Sequence, residues 1–375
     1  MGNPQERIKE IDERLAYLPK GTLTYKTING KKQPYIQRTV EGKSVSYYIK
    51  KDEREQILLE FDERSRLLDE KKHLLAYIKG LSDILNGNPY LVSRMGLGYQ
   101  DFMDFVCGRQ FYVDKTQFIS QWIKSAPRVS LITRPRRFGK TLLLSTVRTF
   151  FDPRYAGHPE YFEKLKVWKD PACRDKFGKI PVVYTSFGNC KGRDYQQSIG
   201  GMFNSLYSLY CAHDYLLDSD RLDQDDKTQF RNFREALFLR HESVIESSIR
   251  TLCRWIYKHY EVLPIVLLDE YDTPLLEAYA DGYWEPMIAT CRGLFHNTFK
   301  ENEFMDRAII TGVTKVSRDS LFSDLNNIRT YTVSDKEYSD CFGFTEKEVV
   351  DAMKCQNMDQ FEQVKAMYDG FIFGN

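Results

Sequence analysis

The run RVSLITRPRRFGKTLLLSTVRTFF, Arg128 to Phe151, decides how this chain is read. Arg128 to Thr133 is a short, apolar stretch of the kind that forms a buried strand. Arg134-Pro-Arg-Arg-Phe-Gly-Lys-Thr141 interrupts it, and Leu142, Leu143, Leu144, Val147, Phe150 and Phe151 then resume at helical spacing. Strand, loop and helix in that order are the setting of a phosphate loop, in which loop amides and the helix N-terminus cradle phosphate oxygens. In that setting Arg136, Arg137, Phe138, Gly139, Lys140, Thr141 and Leu142 form the nucleotide-binding stretch. Lys140 reaches the β and γ phosphates, and the Thr141 hydroxyl is a ligand for Mg²⁺. The spacing fits Gly-x-x-x-x-Gly-Lys-Thr except at its first position, where Arg134 stands for glycine, so the loop needs support from elsewhere in the chain.

That support lies downstream, at Pro264 to Glu270 (PIVLLDE), an apolar run ending in two acids. A strand buried on both faces reads this way, and α/β sheets bind ligands at the carboxyl ends of their strands. Asp269 is the metal candidate and Glu270 the residue that orients and polarises the attacking water. An acidic helix cap is the structural alternative, because Asp and Glu are also favoured there. Lys179–Phe187, Arg307–Val313 and Ile328–Val333 read as three further strands, giving five in a doubly wound α/β sheet of the P-loop NTPase type. Thr311, near the end of the fourth, takes the place of a polar catalytic sensor, with Thr314 as substitute; as a structural residue, threonine is simply a good strand former. Lys140 and Asp269 are 129 residues apart (269 − 140), and Arg193 to Tyr260 within that interval has a helical pattern, so a helical insertion is expected. The acidic Asp220–Lys227 inside it reads as a solvated loop.

Upstream, Ile8, Ile11, Leu15 and Leu18 predict an amphipathic helix, and Asp52 to about Leu85 a second one with Ile57, Phe61, Leu68 and Leu75 along its apolar stripe. Three β-rich segments broken at Asn29-Gly30 and Glu41-Gly42 make a meander between them. Lys20 to Lys51 carries eight Lys or Arg against one acid, Glu41, a local +7 interleaved with Tyr25, Tyr35, Tyr47 and Tyr48. Such a surface suits phosphate contact and base stacking, or else protects exposed strand edges. Asn86-Gly-Asn-Pro89 reads as a break. The expected organisation is a helix, meander and helix module over 1–85, a linker over 86–93, a nucleotide-binding core over 94–340 and a partial helical lid over 341–375.

Composition narrows the field. With 375 residues the chain has room for two or three folding units. At 42% hydrophobic and 29% charged it is no disordered chain, and a formal charge of +1 excludes a globally basic nucleic-acid protein. No apolar run reaches the roughly 18 to 20 residues that cross a bilayer and no signal peptide opens the sequence, so a cytoplasmic address with no membrane partner is expected. The eight cysteines are widely scattered without a CxxC, which predicts reduced, packing thiols.

From about Arg94 onward the chain resembles the bacterial and archaeal AAA-ATPase-like family, often fused to a carboxy-terminal nuclease-like domain. The resemblance rests on Phe111-Tyr-Val-Asp-Lys-Thr116, Leu131–Thr141, Leu268-Asp-Glu-Tyr-Asp-Thr-Pro-Leu275, Ile310-Thr-Gly-Val313, Leu325-Asn-Asn327 and Phe342-Gly-Phe-Thr-Glu346, and covers about three quarters of the chain. The family's phosphate loop looks like Arg-Pro-Arg-Arg-Phe-Gly-Lys-Ser/Thr, so Arg134 becomes the expected residue. The resemblance implies ATP and Mg²⁺ as ligands, with Lys140 on the phosphates, Thr141 and Asp269 on the metal, Glu270 on the attacking water, and Arg136 and Arg137 flanking the site; with Thr311 from its strand position, Lys140 and Glu270 are the catalytic candidates. Tyr112, Asp114 and Lys115 receive no role beyond packing or shaping the base pocket. Arg292, Arg318 and Arg329 compete as arginine finger, which a homo-oligomer would decide. Two departures stand out: the chain stops at Asn375, after Tyr368-Asp-Gly-Phe-Ile-Phe-Gly374, where the family usually continues, and the amino-terminal module is only weakly similar to modules ahead of other bacterial proteins. The reading is a Mg-dependent ATPase acting as a switch or motor. Its alternative is a nucleic-acid-binding or protein-interaction module that holds nucleotide as a structural or switching ligand.

Overall fold

The computed structural model describes residues 4–28, 31–40, 43–50, 53–85, 98–108, 111–125, 127–315, 321, 327–355 and 358–368. The linker expected over 86–93, Arg318, Leu325-Asn326 and everything after Tyr368 lie outside the described residues. The chain divides into two compact units, one made by residues 1–91 with 107–109 and the other by 92–106 with 110–375.

In the first unit, α1 (Pro4–Tyr17) is followed by β1 (Thr22–Ile28), β2 (Lys31–Val40) and β3 (Lys43–Tyr48) and then by the long helix α2 (Arg54–Leu85). The strands form an antiparallel meander in the order β1-β2-β3. The two helices run antiparallel, with Arg7 bonded to Glu70 at 2.8 Å, Arg14 to Glu63 at 2.7 Å, and Lys71 paired with Asp12. Ile11, Leu15 and Leu18 pack against Leu67 and Leu74. The stripe read from sequence is therefore displaced by one position: Leu68 and Leu75 are about half exposed, at 45% and 49%. Leu67-Leu68 and Leu74-Leu75 are both leucine pairs seven residues apart, so spacing alone could not choose between them, and the face that meets α1 decides.

The second unit holds most of α3 (Phe102–Gly108), and all of α4 (Gln117–Ser125), β4 (Val129–Thr133), α5 (Lys140–Phe151), α6 (Pro171–Arg174), β5 (Val182–Ser186), α7 (Tyr195–Cys211), α8 (Gln224–Phe238), α9 (Ser248–Tyr260), β6 (Ile265–Asp269), α10 (Thr273–Asp281), α11 (Trp284–Phe295), β7 (Ala308–Gly312), β8 (Ile328–Tyr331), α12 (Glu346–Cys355) and α13 (Phe361–Tyr368). Its five strands are all parallel, in the order β5-β6-β7-β4-β8. This is a doubly wound P-loop NTPase-like sheet. Alternate residues feed two cores, as burial on both faces requires. Val266, Leu268, Ala308 and Ile310 meet α7, α9 and α11 on one side, while Ile265, Leu267, Ile132 and Ile309 meet α4 and α5 on the other.

The helical insertion is built from α7, α8 and α9. Of the stretch 220–227 expected as a solvated loop, Asp220 to Asp223 is one, with Asp220, Arg221 and Asp223 exposed, but α8 begins at Gln224. Asp223 caps α8 through the Asp226 amide at 2.7 Å, and Asp226 is buried, accepting from Trp255 Nε1 at 3.2 Å and pairing with Lys258. Burial is affordable for that carboxylate because both its oxygens are engaged. Cys173, Cys190, Cys211, Cys253, Cys291 and Cys341 are free thiols, five of them buried. Among the described residues no helix is long and apolar enough to cross a membrane.

Candidate active site

The loop after β4 turns through Arg137 at φ 68° and Gly139 at φ 77°, both left-handed. Such a backbone is costly for arginine, and residues held this way gather at ligand sites. Gly139 is the N-cap of α5 and offers no side chain to the first-turn amides, which remain available to an anion. Arg136 and Arg137 are exposed on the loop, whereas Phe138 and Leu142 are half-buried and pack on the α5 side of the sheet.

Lys140 is buried and folded back, its Nζ donating to the carbonyls of Arg134 and Pro135, both at 2.9 Å. Burial lowers its pKa, and the attraction of Asp269, Asp272 and Glu270 opposes that shift. Thr141 Oγ1 donates to Asp269 Oδ2 at 2.6 Å, and Thr311 Oγ1 donates to the other oxygen of the same carboxylate. The strand order explains the meeting. β7 lies between β4 and β6, with Leu268 beside Ile310, so Thr311 arrives next to Asp269 although 42 residues separate them.

Glu270 leaves the end of β6 at φ 51°, a third left-handed residue. Its Oε2 accepts from Thr273 Oγ1 at 3.3 Å and rests against the backbone of Gly188, where a Cβ would come within 2.4 Å of it. The structure thus gathers Lys140, Thr141, Asp269, Glu270 and Thr311 at the carboxyl ends of β4, β5, β6 and β7. Thr314 is not in that cluster. It belongs to Asp272, a buried carboxylate that accepts from the amides of Val313 (2.8 Å) and Thr314 (2.7 Å) and from Thr314 Oγ1 (2.9 Å). Asp272 anchors the turn that leaves β7, a role the sequence concealed because its partners lie some forty residues downstream.

Arg134 is a structural pin. It is fully buried, donating to the carbonyls of Thr133 (2.9 Å), Tyr331 (3.1 Å) and Tyr338 (3.4 Å), with its guanidinium 5.0 Å from the centre of the Phe342 ring. Its φ is not left-handed, so the glycine of the general pattern is not required there. The next contacts extend the same seam. Gly343 N donates to the Phe138 carbonyl at 3.2 Å, and Lys115 Nζ reaches Asp340 O and Glu348, both at 2.6 Å. Lys115, left without a role by the sequence, therefore ties the chain ahead of β4 to the start of α12. Tyr112 packs edge-on to Phe102 and Phe105, and Asp114 caps Thr116 and Lys166.

Residues 96–322 match the family described as predicted AAA-ATPase, about 60% of the chain. The chain belongs to the AAA-ATPase-like family. Membership implies nucleotide binding. Residues 3–58 match a second family, DUF6788, a domain of unknown function. Over 290 residues, 74% of its length, this AAA-ATPase-like chain is 30% identical to an uncharacterized protein in the vnfD 5' region of Azotobacter chroococcum, and the match spans 48% of that protein. No solved structure matches.

Of the three arginines considered as a finger, Arg329 is engaged with Glu337 and lies over the Tyr331 ring, Arg292 is exposed on α11, and Arg318 lies outside the described residues. Among the described residues no group of three or more His, Cys, Asp or Glu could cage a metal. Mg²⁺ is ordinarily held by one or two protein oxygens together with substrate phosphates. The Thr141 hydroxyl and the Asp269 carboxylate, hard oxygens already within 2.6 Å of each other, fit that need.

Proposed function

We propose that the chain is a Mg-dependent ATPase whose nucleotide site is the loop of 134–142 together with the ends of β6 and β7. The observation that carries this is the shared carboxylate: Asp269 holds the loop hydroxyl of Thr141 on one oxygen and the strand hydroxyl of Thr311 on the other. Three parts that the chemistry needs side by side converge on one acid.

In this reading Thr141 and Asp269 would hold Mg²⁺, which, when bound, neutralises charge on the phosphates. Lys140 exchanges its two loop carbonyls for β and γ phosphate oxygens, and the free amides at the start of α5 bind the remainder. Glu270, held by Thr273 at the edge of the site, orients a water for in-line attack on the γ phosphorus and accepts its proton. Thr311 fixes the orientation of Asp269 and of the attacking water. Arg136 and Arg137, exposed beside the loop, offer charge to the phosphates. Residues 94–340 act as the ATPase core, with 341–375 opening a helical lid and 1–85 forming a separate module. A switch or motor output, a homo-oligomeric assembly that supplies an arginine, and a cytoplasmic setting complete the proposal.

The test is steady-state phosphate release from ATP and GTP with Mg²⁺. Lys140→Ala should abolish tight ATP binding, whereas Glu270→Gln should keep binding and stop turnover. Micromolar ATP binding retained by Lys140→Ala, or full turnover by Glu270→Gln, would remove that residue from its role.

A further inference from the structure

We propose that the amino-terminal meander binds single-stranded nucleic acid through the lysine-bearing end of its β1–β2 ribbon and the tyrosines beside it. This stands independently of the ATPase reading. The sequence showed a +7 segment, and the register shows where that charge gathers. Pairing between β2 and β3 ends at Tyr35 opposite Tyr48, with one further bond from Ile49 N to Pro34 O. Pairing between β1 and β2 continues past that point, through Lys26 opposite Gln33, Thr27 opposite Lys32 and Ile28 opposite Lys31. A two-stranded ribbon therefore extends beyond β3, and three successive rungs each carry a lysine. Lys50 follows Ile49 to the same end and is exposed. At about 3.3 Å per residue along a strand and 4.8 Å between strands, these four positions fall within a patch about 10 to 15 Å across.

The aromatic component is adjacent. Tyr48 is 46% exposed and meets Tyr35 edge-on, with ring centres 5.4 Å apart, two rungs from the first lysine rung. Tyr47, its neighbour in β3, is 48% exposed on the opposite face of the sheet. Edge protection explains lysines on outer strands, but it does not call for half-exposed tyrosine rings beside them or for lysines on both strands of one ribbon. The whole chain is only +1, so everything outside the meander is net negative and the field of this patch is local. Cations that follow a phosphate backbone beside flat rings that accept bases make a surface for an unpaired strand.

The experiment uses the full chain and a fluorescein-labelled oligothymidine, read by anisotropy between 50 and 200 mM salt. Four lysine–phosphate contacts on a single strand give a log–log slope of about −3, a loss of about fifty-fold in affinity over that range. Changing Lys26, Lys31, Lys32 and Lys50 together to glutamine should abolish binding. Tyr48→Ala should weaken it about ten-fold with the salt slope preserved. Circular dichroism of both variants verifies that the module stays folded. The proposal is overturned by absence of binding, by tighter binding to a duplex of equal length that ignores Tyr48→Ala, or by association with phosphatidylserine vesicles alone.

Discussion

Replacing Arg134 by glycine would restore the general phosphate-loop pattern Gly-x-x-x-x-Gly-Lys-Thr, and the structure says that the restored sequence should be the worse protein. Arg134 is fully buried, and its guanidinium serves three carbonyls and lies against the Phe342 ring. Hydrogen bonds from a charged donor each contribute about 1.5 to 3 kcal/mol, but burying the cation offsets much of that sum. Burial accordingly lowers the pKa of Arg134, and its buried Nε has no hydrogen-bond partner. Removing one member of a buried charged network costs about 3 to 5 kcal/mol, and glycine also leaves the side-chain volume empty. A loss of about 4 kcal/mol lowers the unfolding temperature of a unit of this size by about 10 °C. Arg134→Met, which fills the space and leaves no orphaned donor, should lose less than half as much. The assay is calorimetric unfolding of wild type, Arg134→Gly and Arg134→Met in one buffer. If the glycine variant unfolds within about 2 °C of wild type, the pin is decorative and the reasoning fails.

Gly188→Ala should place a methyl group where Glu270 Oε2 now rests, forcing the carboxylate off its seat. ATP affinity should hold while turnover falls about ten- to a hundred-fold, as read by nucleotide titration beside phosphate release. His213 is buried, with Nδ1 donating to Leu209 O at 2.8 Å, and burial together with the nearby Arg154 pushes its pKa down to about 4. A base whose folded pKa lies below its unfolded value near 6.5 contributes stability that is present above that value and is lost as pH falls towards 4. About 3 kcal/mol should disappear across that window, and urea unfolding at pH 7 and pH 4.5 of wild type and His213→Leu should show the variant losing less. Within the amino-terminal module, Leu67→Ala should cost about 1 to 2 kcal/mol and Leu68→Ala less than about 0.5, by thermal unfolding, because only the former packs against α1.

Much of the candidate site was legible because its parts announce themselves locally. Buried parallel strands leave continuous apolar runs; β6 ends in Asp269 itself and β4 is followed by the loop that leads into Lys140 at the start of α5, so Lys140, Thr141, Asp269 and Glu270 could be named without coordinates. Thr311 was legible only by analogy of position, since its neighbour across the sheet is fixed by strand order and not by sequence distance. Asp272 and Lys115 were out of reach for the same reason: each is defined by a partner far along the chain. The α2 stripe shows a different limit, because two leucine pairs with the same spacing are equivalent until a second helix selects one. Asp226 shows a third. An acidic, polar stretch reads as solvent-facing unless the distant Trp255 and Lys258 that neutralise it are known.

The seam from Arg134 through Phe138, Gly343 and Lys115 to Glu348 has a practical consequence for anyone who shortens this chain. A fragment ended near residue 340, where the lid was drawn from sequence, would lose the Glu348 carboxylate that pairs with Lys115 and the Phe342 ring that covers Arg134. It would leave two buried cations, Lys115 and the loop's own Arg134, facing water. The smallest fragment that keeps this seam should therefore extend through Cys355, the end of α12.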